Sequence, residues 1–237
     1  MRSARRVSAA CAATLPFAVV LTGCVSTQQI AARARLVSAR VLASQTAIEV
    51  TRTNPDVSVG HVTVIRARTG AAVVVPLRND TSTALTDLPI SVAIRTERGN
   101  TYLNRSATLD YFQTHLAVIG PHDSTDWVFT TGARVASGRA IASVGFPQLH
   151  PRVAGGLPRI EVSPHGSEGV TVTNRSGIPQ YDLQVYVLAT RSGREVAAGR
   201  GEVTHLGSDG TTTLSFTLLG SEQGAALRLI ALPTIFS

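Results

Sequence analysis

The sequence predicts an all-β chain: two tandem antiparallel β-sandwiches behind a short N-terminal segment of helical periodicity. Three observations predict it. From residue 57 onward, β-branched and polar residues alternate over short runs. Turn signals separate those runs at intervals of roughly ten residues, the spacing of an antiparallel sandwich. Features of the first half also return in the second at a constant offset of 95 residues, as an internal duplication requires.

Taken in order, the stretch from Ser26 to Ile48 is rich in Ala, Gln, Ser and Arg, with Ile30, Ala34, Val37, Val41 and Ile48 near one helical face. That thin apolar stripe predicts a tether helix or partly ordered stalk. Thr53-Asn54-Pro55-Asp56 ends it. Strand candidates follow at Val62 to Ile65, Ala72 to Leu77, Leu88 to Ile94, Leu109 to Val118, Trp127 to Phe129 and Ile141 to Phe146. Pro89 lacks an N–H, which argues an edge strand or a strand's first residues.

The second half repeats the plan. Ile160 to Val162 matches Ile65 to Ala67, and Val170-Thr171-Val172 with Asn174 matches Val75-Pro76-Leu77 with Asn79. Asp182 to Val187 matches Asp87 to Val92, and Gly193 falls opposite Gly99 after a one-residue deletion. The stretch 147–158, with Pro147, Pro151, Gly155-Gly156 and Pro158, cannot continue a ladder and reads as a linker. The organisation is therefore 1–23, a signal segment; 24–55, a tether; 56–146, the first sandwich; 147–158, the linker; and 159–237, the second sandwich. Trp127, Phe129, Leu183, Val185, Val187, Leu214 and Phe216 are the expected core anchors.

The N-terminus carries an address. Arg2, Arg5 and Arg6 precede an uncharged apolar run from Val7 to Leu21, the length of a signal h-region and short of the ~20 residues of a spanning helix. Leu21-Thr22-Gly23-Cys24 closes it and resembles the lipobox of bacterial lipoproteins. The resemblance implies a diacylglycerol thioether on Cys24, cleavage before it, and a lipid-anchored protein on the outer side of the membrane. The only other cysteine, Cys11, lies in the signal, so the exported body has no internal disulfide. The two halves also share a strand ending in Asn-x-Ser/Thr, a longer apolar strand, a Gly hairpin, and a hydrophobic-Gly-x turn before an alternating strand. This texture is similar to the small immunoglobulin-like modules of bacterial envelope proteins such as the FxLYD family. It implies an immunoglobulin-like sandwich for each half and carries no function. The Tyr-Asp that the family places before the hairpin is replaced by Leu188-Ala189-Thr190 and Ile94-Arg95-Thr96.

All 22 basic residues are arginine, and the calculated pI is near 10.6. Most of the excess sits in the signal and at 25–55, whereas 56–150 carries eight Arg against seven acids and 151–237 seven of each. A nucleic-acid protein concentrates its charge on the folded surface, so nucleic acid is a poor partner. Arginines beside an anionic leaflet are each worth about 1 kcal/mol.

Chemistry is sparse. The chain has no Gly-x-Ser-x-Gly, Ser-x-x-Lys or His-Glu-x-x-His motif, and no lysine for a Schiff base. His115, His122 and Asp126 have generic spacing that reads as a solvated hairpin before it reads as a metal site. Asn79, Asn104 and Asn174 read as turn residues that bond the local backbone. Tyr102, Tyr111, Phe112, Tyr181 and Tyr186 read as core packing or ordinary strand surface before a recognition surface. Neither a catalytic residue nor a cofactor is expected, and Cys24 is the one residue assigned a chemical role. The function these readings support is a non-catalytic binding or scaffold subunit of the cell envelope, held by membrane lipid through acylated Cys24 and contacting another envelope protein. The alternative is a lipoprotein that binds a small ligand or glycan, which expects a pocket at the domain junction.

Overall fold

The computed structural model describes residues 27–151, 153, 156–166 and 169–236; Cys24 and the signal segment lie outside them. Helix α1 spans Thr27–Ser44. The first sandwich contains β1 (Val57–Val59), β2 (Thr63–Ala67), β3 (Gly70–Asn79), β4 (Leu85–Thr96), β5 (Gly99–Tyr102), β6 (His115–Ile119), β7 (Ser124–Thr131) and β8 (Arg139–Val144). The second contains β9 (Ile160–His165), β10 (Gly169–Asn174), β11 (Gln180–Arg191), β12 (Arg194–Leu206), β13 (Thr211–Ser215), β14 (Leu219–Gly220) and β15 (Ala226–Leu232).

All pairings are antiparallel, and the two halves share one topology. In the first, β3 is flanked by β7 on one side and by β1 and then β2 on the other, while β4 is flanked by β8 and by β6 and then β5. In the second, β10 lies between β9 and β13, and β11 between β12 and β15, with β14 beyond β12. The long central strands β4 and β11 begin and end at residues 95 apart. Within each, Asp87 and Asp182 take the same positive φ, 49° and 52°. The Asn-x-Ser/Thr triplets are equally matched. Asn79 Nδ2 donates to Thr83 O and Gly120 O, and its Oδ1 accepts from Thr81 N. Asn174 Nδ2 donates to Ile178 O and Gly207 O, and its Oδ1 accepts from Ser176 N. Each fully buried asparagine thus satisfies turn backbone that no ladder reaches.

Pro89 corrects the expectation of an edge or strand start, because it is the fifth residue of a central strand. Its carbonyl accepts from Gly145 N at 2.8 Å, just past the last β8 pair, Val144 with Ile90. The missing N–H therefore faces a place where the ladder has already ended. Pro76 in β3 uses the same device, with Gly60 N donating to its carbonyl at 2.8 Å. The run 109–118 is also not one strand. Asp110 caps a short 3-10 turn at Tyr111–Gln113 by accepting from Gln113 N, and β6 starts only at His115.

The two sandwiches stack face to face. In β11, Leu183, Val185 and Val187 point into the second sandwich with Val170 and Val172. The alternate residues Tyr186 and Leu188, with Ala198, Leu219 and Leu232, join the core of the first. Residues 71–75 of β3 are fully buried as a result, since both faces of that strand are covered. Each large apolar side chain buried at such a face contributes roughly 1.5–3 kcal/mol. Polar bridges frame the junction. Arg200 grips Asp110 at 2.7 and 3.0 Å and also donates to Gln184 Oε1, Arg228 pairs with Asp126, and Thr63 donates to Glu195. Of the expected core anchors, Trp127, Phe129, Leu183, Val185 and Val187 are buried, while Leu214 and Phe216 pack partly buried against the second core.

Helix α1 forms as the composition predicts, but the face it buries is not the apolar stripe. Arg33 and Arg40 are buried, whereas Ile30, Val41 and Leu42 are 56, 54 and 66% exposed. The reason is a long-range ion pair. Arg40 Nε and Nη2 donate to the two oxygens of Asp87 at 2.8 and 3.0 Å, and Nη1 donates to Thr234 O at 2.8 Å. The guanidinium lies 5.0 Å from the Phe112 ring centre. One arginine thus ties the helix to both sandwiches, so this segment is docked and is not a free stalk.

Candidate functional site

The residues singled out for chemistry are mostly spent on structure. His115 stacks on Tyr111 with ring centres 3.9 Å apart, and its Nδ1 lies 2.9 Å from Thr114 Oγ1 and 3.1 Å from Tyr111 O. Burial depresses its pKa to about 4, so the ring is neutral at ordinary pH. Asp126 pairs with Arg228, and His122 occupies a turn at φ 54°. The three do not form a metal cluster. Tyr111, Phe112 and Tyr186 are buried, while Tyr102 is exposed beneath the Arg105 guanidinium. Burial pushes the carboxyl of Asp87 up, opposed by Arg40 and by a hydrogen bond from Tyr111. This buried cluster is a clamp between elements, and on the side of His115 a pocket of about 320 Å³ opens between residues 46–52, Pro89 and Gly145. At the junction of the sandwiches, where a ligand-binding reading expects a cleft, Tyr186, Leu188 and Leu219 fill the centre, while a cavity of about 340 Å³ opens at one margin between Val118, Asp123, Leu157, Arg228 and Leu232.

Several strands, β7, β8, β9, β13 and β15 among them, are paired on one side only, and β8 lies beside a groove. β8 pairs with β4 on one side only. On its outer side, Val144 O accepts from Asn54 N at 2.8 Å. By the two-residue alternation of a strand, the N–H and C=O of Ala142 and Ala140 point the same way as those of Val144. Among the described residues they meet no backbone partner. A groove of about 380 Å³ runs between this edge and the β1–β2 side of the facing sheet. Val59, Val62, Val64 and Ala142 supply its apolar wall, and Arg66 and Arg139 mark one end.

That end is strongly basic, which the charge tally does not reveal. Arg68 sits in the β2–β3 turn, Arg98 in the β4–β5 turn, and Arg134 in the loop from β7 to β8. Arg66 anchors this loop by donating to Val135 O and Ala136 O. Arg95 and Arg139 lie directly opposite each other on β4 and β8. Gly138 makes that approach possible: at φ 149°, a Cβ there would sit 2.7 Å from Arg95 O. Six of the eight arginines of residues 56–150 thus converge on one end, all exposed, with Glu97 the one acid in the same turns. None of the six enters an ion pair among the described residues. Asp56, Asp80 and Asp123 gather at the opposite end, where Asp80 N bonds Asp56 O and Asn79 N bonds Asp123 O. The first sandwich is near neutral in sum and bipolar in space.

No family model matches the chain, and no curated protein matches it. Among solved structures, a chain from the work titled "Chaperone-tip adhesin complex is vital for synergistic activation of CFA/I fimbriae biogenesis" aligns with 72% of this chain and 98% of its own length. The identity is 6% and the TM-score 0.21, too low to bear on fold or function. The all-β assignment rests on the strands and their pairing.

Proposed function

We propose that the chain is a membrane-anchored, extracytoplasmic lipoprotein, serving as a non-catalytic binding or scaffold subunit of the bacterial cell envelope. The observation that carries this reading is the open outer edge of β8 beside a one-sided arginine end, on a body made rigid by two stacked sandwiches. Rigid sheets with an accessible edge engage other proteins through backbone pairing, with side-chain pockets adding specificity.

The anchor is Cys24. Two or three acyl chains, at about 0.8 kcal/mol per buried CH₂, hold a protein stably where one chain does not. Helix α1 begins three residues after it, at Thr27. The docked helix then passes that tether directly to both sandwiches through Arg40.

The test is a pull-down of the lipidated protein from its own membrane after mild crosslinking. A reproducible protein partner supports the scaffold reading, and repeated recovery of none contradicts it. A Cys24→Ala variant is expected to stay unprocessed and to lose acyl labelling; normal processing would remove the lipoprotein part of the proposal.

A further inference from the structure

We infer that the β8 edge binds an extended, acidic polypeptide segment of a partner protein, added as a further strand with its carboxylates against Arg139 and Arg95. This deepens the scaffold reading, rests on it for the partner's origin, and names the surface and the chemistry of what it takes.

Two independent features converge. The first is the backbone: β8 is half-buried and pairs with no strand along its outer side, and Ala140 and Ala142 direct a donor and an acceptor each toward the groove. An unpaired edge invites a further strand, and proteins that do not use such an edge blunt it with short strands, charged side chains, bulges, prolines or a covering loop. Here Asn54 covers one position, Val144, and leaves the rest accessible. The groove behind the edge is apolar along Val59, Val62, Val64 and Ala142, so alternate side chains of an incoming strand would find an apolar wall.

The second feature is electrostatic. Like charges directly opposite on neighbouring strands are unfavourable, yet Arg95 faces Arg139, and neither has a carboxylate partner among the described residues. No acid lines the groove, while Arg66 and His61 do. An anion placed between the two guanidiniums relieves their repulsion and adds charge-assisted hydrogen bonds. Arg139 and Ile141 share the outer face of the β4–β8 sheet with Arg95 and Ala93. An added strand therefore presents its acidic residues on that face and its apolar ones toward the groove. The fitting segment alternates apolar and acidic residues.

The test uses the full processed protein in detergent micelles, which separates it from recovery of a natural partner. An alternating Val/Glu octapeptide is titrated in, beside a Val/Lys counterpart, and amide exchange is followed at β8. The Val/Glu peptide is expected to slow exchange at Ala140 and Ala142 by about tenfold or more, and the Val/Lys peptide to leave it unchanged. Ala142→Pro removes only an outward N–H, so it is expected to keep the wild-type near-UV spectrum and melting temperature while losing peptide protection. Should that variant misfold, the pair Arg95→Glu with Arg139→Glu decides: preference is expected to switch from the Val/Glu to the Val/Lys peptide. Equal protection by both peptides, or protection that survives charge reversal, overturns the inference. So does charge-dependent binding to phosphatidylglycerol vesicles with β8 exchange unchanged by either peptide, which would assign the basic end to lipid headgroups.

Discussion

Asp87 and Asp182 hold the same left-handed backbone 95 residues apart, yet only Asp87 is gripped by a guanidinium, that of Arg40. Asparagine tolerates this conformation, so replacing each aspartate by asparagine isolates the charge. Asp87→Asn is expected to cost about 3–5 kcal/mol, because it leaves a buried arginine unpaired. Asp182→Asn, where burial already disfavours the carboxylate, is expected to cost less than about 1 kcal/mol. Urea denaturation of the two variants measures the difference, and equal costs would rule out the clamp. Adding Arg40→Met to Asp87→Asn is expected to recover part of the loss.

Asn79 and Asn174 provide a matched pair. Alanine at either site strands turn carbonyls that the amide now satisfies. Each substitution is expected to cost about 1–3 kcal/mol. Similar losses at both sites, read from denaturation midpoints, would follow from their shared geometry.

His115 sets a pH dependence. Its pKa falls from 6.5 in the unfolded chain to about 4 in the folded one, because burial opposes the charged ring. Between those values the unfolded state binds the extra proton, so stability falls as pH falls. The contribution is intact above pH ~6.5 and lost progressively toward pH ~4, with an upper bound of roughly 3 kcal/mol. A His115→Gln variant is expected to show a flatter stability profile across that window; an unchanged slope would assign the dependence elsewhere.

The packed junction predicts coupled unfolding. Calorimetry is expected to show one transition for the two sandwiches, since Tyr186 and Leu188 belong to the core of the first. Leu188→Ala is expected to cost about 2–5 kcal/mol. Tyr186→Phe is expected to be neutral or stabilising, because the Tyr186 hydroxyl is buried without a hydrogen-bond partner among the described residues. Two separated transitions in the wild-type protein would contradict the shared core.

Much of the fold was legible in the sequence, because it lies in local pattern. The alternation of β4 and β11, the turn asparagines and the offset between Asp87 and Asp182 all survive translation into structure. What was not legible depends on partners distant in sequence. Arg40 turns inward because Asp87, 47 positions away, meets it, so the stripe of Ile30 and Val41 faces outward. Pro89 sits in a central strand because Gly145 ends the neighbouring ladder beside it. β5 is short and exposed, and β1 is three residues long, so neither carries a hydrophobic period. The basic end was invisible to a charge count, since Arg66, Arg95, Arg134 and Arg139 converge only when three connections fold to one side. Leu109 to Val118 looked continuous in hydropathy, but the Asp110 cap divides it.

The most direct test of the central claim, that the β8 edge is where this protein meets its partner, is site-specific photocrosslinking in native membranes. A photoreactive residue is placed at Ile141 and, as a control on the second sandwich, at the exposed Ser215. The account predicts a discrete protein adduct from Ile141, lost when Arg95 and Arg139 are both changed to Glu, and none from Ser215. No adduct at Ile141, or equal adducts from both positions, would contradict it.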